Sequence, residues 1–267
     1  MKNFLRLLAI SAFAMMLQSC ATLAAGGITS QGQPTKKVEG TLTSTTANSR
    51  VNVDHSAWDK LLKKHVDVKG MVDYKGFAKD QELLNAYLDK LASLDPSNDW
   101  SVQELLAYYI NIYNAYTVDQ ILKNPTVSSI KEIDGVWIKG IVTVQNRKLS
   151  LGGIENGILR KMNEPRIHFA INCASISCPA LLREAYTAGK INEQLERATD
   201  GFINSDKNTI KANKAELSSI FKFYTKDFYV DPSKSLIPYI NKYAKTPVNS
   251  NAPITFKAYD WGLNKQQ

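Results

Sequence analysis

Histidine and cysteine are both scarce in this chain of 267 residues, with three of each. His168, Cys173 and Cys178 lie close together in sequence but supply only three ligands, so no metal is expected there and no cofactor elsewhere. The two downstream cysteines stand five apart rather than in the two-residue spacing of thioredoxin-like motifs, which places a redox role last. No glycine-rich nucleotide loop occurs. Although the formal net charge is +8, the lysines are scattered and no basic run alternates with aromatics, so nucleic acid is not expected as a partner. Weak attraction to anionic lipid or acidic envelope polymers accounts for the charge. The apolar run from Leu7 to Leu17 is too short to cross a bilayer, which takes about 20 residues. No internal repeat is visible.

That short run is nonetheless informative. Lys2 and Arg6 precede it and Leu17-Gln18-Ser19-Cys20 ends it, the charged and apolar regions of a secretory signal. The ending resembles the lipobox of bacterial lipoproteins, which implies cleavage after residue 19 and lipid on Cys20. The expected location is the cell envelope, anchored to the outer membrane and facing the periplasm, with membrane lipid as a partner through Cys20. Residues 20–50 are rich in Ala, Gly, Ser and Thr with few large apolar side chains, and read as a flexible tether. Residues 51–267 suffice for one globular domain.

Along that domain, Ser56 with Trp58, Leu61 and Leu62 predicts an N-capped amphipathic helix, and Leu84, Leu88 and Leu91 a second one stopped at Asp95-Pro96. Ser101-Val102-Gln103-Glu104 reads as a capping box opening a helix that is apolar on nearly every face as far as Leu122. Asn111 and Asn114 lie three apart on that helix, hence on one face, either fixing a neighbouring backbone or serving a site. Val136 to Val144 predicts a hairpin, Ile154 to Met162 a short helix closed by Pro165, and Arg166 to Asn172 a strand running into Cys173. Further helices are expected between Ala180 and Lys226 and a strand after Ile254. The class is α+β, helix-rich with a small, mostly antiparallel sheet.

Chemistry centres on His168 and Cys173. An imidazole beside a thiol lowers its pKa and carries the proton to the leaving group, and a third group must orient the ring. Candidates for it are Glu155, early in the helix just before the strand, and the asparagines Asn111 and Asn114 of the apolar helix, with Glu155 taken as the orienting group. On a straight strand residues five apart face opposite ways, so the pair meets only if the chain turns sharply at Asn172 and Cys173. The small residues Ala174, Ser175 and Ser177 allow such a turn. In an oxidising compartment, Cys173 and Cys178 could equally pair as a structural disulfide. His55 and His65 read as surface or helix-flank residues.

From Trp58 to Asn264 the chain resembles the family called domain of unknown function 547. The resemblance is carried by Ala107-Tyr108-Tyr109-Ile110-Asn111-Ile112-Tyr113-Asn114-Ala115, Ile154-Glu155, His168 to Ser175 with Cys178-Pro179, Asp227-Phe228, and Tyr259-Asp260-Trp261-Gly262-Leu263-Asn264. It implies a core related to papain-like or transglutaminase-like thiol enzymes, with His168 and Cys173 as the reactive pair. The order here, histidine before cysteine, implies a permuted or independent arrangement. The resulting expectation is a lipid-anchored thiol hydrolase or acyltransferase acting on an amide or peptide bond of a peptide or envelope polymer. Its site would combine Cys173, His168 and Glu155, with Asn111, Asn114, Asn172 and Cys178 positioning the loop. The alternative is a non-enzymatic scaffold or binding lipoprotein stapled by a Cys173–Cys178 disulfide.

Overall fold

The computed structural model describes residues 29–230 and 234–267; the signal segment 1–19 and Cys20 lie outside the described residues. Its centre is the helix expected from the uniformly apolar run. α1 spans Ser56–His65, α2 Tyr74–Lys79, α3 Gln81–Ser93 and α4 Val102–Lys123. Nearly every residue of α4 is buried, because α2 and α3, themselves backed by α1, pack on it, as do segments after residue 140. A helix with no polar face is stable only when surrounded in this way. Among the described residues no helix is long and apolar enough to cross a membrane.

The capping box at the start of α4 is half formed. Ser101 Oγ accepts from the Glu104 amide as expected, but Glu104 turns away and accepts from the Val53 amide at 2.9 Å. The Ser101 amide instead donates to Ser49 Oγ. Ser56 does not cap α1 through its side chain, since it is the first helical residue and the preceding His55 makes no capping bond. His55 and His65, expected at the surface, are both buried. The fold supplies them with polar partners, His55 Nδ1 at 2.7 Å from the Tyr87 hydroxyl and His65 Nε2 at 2.6 Å from Asp80.

β1 (Val142–Val144) and β2 (Arg147–Leu149) form an antiparallel hairpin, shorter than the expected strand because residues 133–141 are consumed in turns. A π-helix at Gly153–Ile158 runs into a 3-10 turn at Leu159–Met162. The strand expected at Arg166–Asn172 is absent. Pro165 opens a 3-10 helix over Pro165–Phe169, and the Glu164 side chain caps it by accepting from the Arg166 amide. A proline fixed near φ −65° with an acceptor just before it starts a helical turn, and this overrides the alternation that follows. α5 (Ile191–Ile203) comes next. Part of the region expected to be wholly helical then forms a hairpin of β3 (Thr209–Lys211) and β4 (Lys214–Leu217). β5 (Ile254–Phe256) adds to β4 in parallel, so the sheets are small and mostly antiparallel. α6 (Ser219–Phe223), a 3-10 turn at Thr225–Phe228 and α7 (Ile237–Ile240) complete an α+β fold.

The tether expectation for residues 20–50 is corrected from residue 29 onward. Val38 and Leu42 are buried in the main core, and the Val38 amide donates to the Met162 carbonyl at 2.8 Å. Gln33 accepts from the Tyr109 hydroxyl, and Gln103 donates to the Thr43 carbonyl. Two apolar anchors and a series of backbone bonds are enough to lay a polar segment down as a strap. Composition averaged over the segment hides them.

Candidate active site

Two hydrophobic clusters make up the interior: one around α4, the other around Phe169, Phe202, Phe221 and Phe228. Where they meet lies a cavity of about 230 Å³ whose walls include Tyr113, Glu155, His168, Cys173, Cys178 and Tyr259. The chain thus gathers the three expected reactive residues and Cys178 around one space.

The loop bearing Cys173 is held from α4. Asn114, 2 % exposed, donates to the Ala170 carbonyl at 3.0 Å and accepts from the Asn172 amide at 2.8 Å. Asn111 does the same for a different segment, bonding both the amide and the carbonyl of Tyr186. Buried amides spaced three apart on one face of α4 therefore each replace a missing backbone partner, and only Asn114 touches the approach to the cysteine. Asn172 then makes the turn: its Oδ1 accepts from the Ala174 amide and its Nδ2 donates to the Pro179 carbonyl. Ala174 sits at φ +57°, in the left-handed region, which gives the sharp reversal required after Asn172. The C-terminal segment braces the turn, with Ile176 donating to the Gly262 carbonyl and Asn264 to that of Ala174.

Cys173 and Cys178 are joined as a disulfide. Hydroxyls surround the pair. Ser175 Oγ lies 3.2 Å and Tyr259 Oη 3.1 Å from Cys173 Sγ, and Tyr259 also reaches Cys178 Sγ at 3.3 Å. Burial, with Glu155 nearby, pushes the Tyr259 phenol up to about 12 despite its bond with Ser175, so it stays a proton donor.

His168 is 2 % exposed and stacks on Tyr224 with ring centroids 4.0 Å apart. Its Nε2 lies 2.8 Å from Asp227 Oδ2. Arg160 grips the same carboxylate at both oxygens, at 2.6 and 2.9 Å. Burial alone would raise the Asp227 carboxyl, but the bonds from His168 and Arg160 outweigh it and hold the group well below the ordinary carboxylate range. Asp227 is therefore ionised, and Nε2 is the donor. Nδ1 is buried and has no hydrogen-bond partner among the described residues.

This arrangement corrects the role expected for Glu155. It lines the cavity but makes no bond to the imidazole; Tyr113 donates to its Oε2 at 3.3 Å and Tyr224 to its Oε1. Burial, and then the neighbouring carboxylate, raise both phenols well above their ordinary range. Asp227, Tyr224 and Tyr259 escaped the sequence reading as site residues. Asp227-Phe228 and Tyr259 stood among the residues carrying the family resemblance, and that was the only signal for them, because nothing local links them to His168. Among the described residues no three His, Cys, Asp or Glu side chains converge as a metal site.

Residues 97–203 match the family described as Protein of unknown function, DUF547. This span contains all of α4, Glu155, His168 and both cysteines, while Asp227 and Tyr259 fall beyond it. Neither the curated proteins nor the solved structures contain a match to the chain.

Proposed function

We propose that this chain is a lipid-anchored envelope protein that hydrolyses or transfers the acyl group of an amide or peptide bond, using Cys173 as nucleophile when Cys173 and Cys178 are in the dithiol state. One observation carries the reading. His168, whose Nε2 is committed to an ionised carboxylate and whose buried Nδ1 has no partner among the described residues, lines the same cavity as Cys173. This is the division of labour a thiol–imidazole pair requires, one ring nitrogen oriented and the other left to exchange protons.

The chemistry begins with a thiol reductant, which opens the disulfide and is itself oxidised to one. His168 Nδ1 takes the Cys173 proton, and the Tyr259 hydroxyl, which accepts from Ser175, donates to the thiolate. The sulfur attacks the substrate carbonyl carbon, the carbon–nitrogen bond breaks, and His168 returns the proton to the departing nitrogen. A thioester remains on Cys173. Water, or a second nucleophile in the transferase case, gives its proton to His168 and displaces the sulfur. Asp227 orients the ring throughout and balances its transient charge, while Asn114 and Asn172 hold the loop.

A second reading is favoured by the disulfide itself: a non-enzymatic binding or scaffold lipoprotein in which the Cys173–Cys178 bond is a permanent staple. Iodoacetamide labelling followed by intact mass separates the two. The active-site reading expects no adduct without reductant, rapid labelling of Cys173 in the reduced native protein, and at least a tenfold slower rate in His168→Ala. A pair that no reductant opens without unfolding the protein, or equal rates in both proteins, leaves the staple as the reading to keep.

A further inference from the structure

The mechanism leaves Glu155 unused, although it is a carboxylate 7 % exposed on the wall of the reaction cavity. Among the described residues its hydrogen-bond partners are two phenol hydroxyls, Tyr113 and Tyr224. Among the described residues no lysine, arginine or histidine nitrogen lies within 4.0 Å of it; Arg160 feels its charge from further off but is bonded to Asp227, which His168 also contacts. A carboxylate taken out of water without a cation in contact is costly, and a ligand cation can supply the missing partner.

The remaining walls fit that ligand. Six aromatic residues border the cavity: Tyr113, Trp137, Phe223, Tyr224, Tyr259 and Trp261. Tyr259 and Trp261 stand with ring centroids 4.5 Å apart, and Phe223 lies 5.5 Å from Tyr259. Lys131 already stands over Trp261 at 5.2 Å, and Arg160 over Tyr224 at 5.3 Å. No cation stands over Tyr113, Trp137, Phe223 or Tyr259 among the described residues. Ring faces attract cations through their quadrupoles, most strongly when water is excluded. At about 230 Å³ the space falls below the ~300 Å³ at which drug-sized ligands begin, and admits one group of side-chain size.

We infer that the cavity binds a primary ammonium group, and that Glu155 with its aromatic surround selects amide or peptide substrates carrying such a group beside the scissile bond. The inference rests on the proposed reaction only for the word substrate; the binding itself needs no free thiol. Glu155 supplies the countercharge, Tyr113 and Tyr224 hold its two oxygens in place, and the uncovered rings seat the alkyl stem.

The test is equilibrium binding of Nα-acetyl-lysine amide and of its neutral analogue Nα-acetyl-norleucine amide to the disulfide form of the full chain. Trp137 and Trp261 fluorescence serves as the readout. The lysine compound is expected to bind at least tenfold more tightly, and Glu155→Gln, which keeps an acceptor for one tyrosine and offers the other an amide donor to accept from, is expected to remove the difference. Equal binding of the two compounds by the wild-type protein overturns the inference without recourse to any variant, and so does selectivity that survives in Glu155→Gln. Because Cys173 is not a free thiol in this form, failure of the proposed thiol chemistry leaves the measurement untouched.

Discussion

Asp227 accepts from His168 Nε2 at 2.8 Å across a separation of 59 residues, while Arg160 occupies both oxygens of the same carboxylate. The Asp227 carboxyl is held below its ordinary value of 3.8, so its stabilisation is present in full above that value and is lost as pH falls through the depressed one. Asp227→Asn is expected to lower stability at pH 7 by about 2–4 kcal/mol, because Arg160 loses its charged partner. Denaturant melts between pH 2 and 7 should show the difference between wild type and variant shrinking below about pH 4. A constant difference across that range would separate the destabilisation from the carboxylate's charge.

His55 predicts a second and distinct pH dependence. Burial first, and then the Lys90 charge, lower the imidazole to about 4 from its ordinary 6.5, with Asp54 opposing them. Between those two values the unfolded chain binds the proton that the folded chain refuses, so stability falls as pH drops through the window. The slope contributed is up to about 1.4 kcal/mol per pH unit. His55→Gln, which can still bond the Tyr87 hydroxyl, should flatten the stability profile between about pH 4 and 6.5. An unchanged slope would mean that other groups set it.

Asn111 and Asn114 look equivalent on α4 but are expected to differ in effect. Replacing either with alanine strands one buried amide and one buried carbonyl, a loss of about 2–4 kcal/mol in each case. Only Asn114→Ala should also slow iodoacetamide labelling of reduced Cys173, since Asn111 holds the Tyr186 segment instead. Equal labelling of the two variants would detach the Asn114 contact from the geometry of the cysteine loop.

The strap yields a prediction opposite to that for a loose tether. Val38→Ala with Leu42→Ala removes two buried anchors from the main core and should cost about 3–6 kcal/mol in urea denaturation. Substitutions in a freely moving segment stay within about 0.5 kcal/mol. A result in that smaller range would restore the tether description for residues 29–50.

Much of the scaffold was legible along the chain. The apolar run of α4 could be nothing but a central helix, Ser101 marked its start, and Asn111 and Asn114 announced buried amides in need of partners. The Val142 to Leu149 hairpin was likewise written locally, in β-branched residues, whereas the small residues after Asn172 allowed a turn without fixing one. Errors arose where a single strong local group outweighed a pattern, as Pro165 did over the alternation of Arg166 to Asn172, or where two anchors were diluted by their neighbours, as in the strap. The choice between Asp227 and Glu155 as partner of His168 had no local signature at all. Hydrogen-bond geometry acts over about 3 Å of space and is indifferent to sequence separation. The sequence by itself therefore determined the fold class and the central helix. Only the packing of the Thr225–Phe228 turn and the C-terminal segment against the cavity decided which carboxylate faces the imidazole, which phenol faces the sulfurs, and which acid bonds phenols rather than a cation.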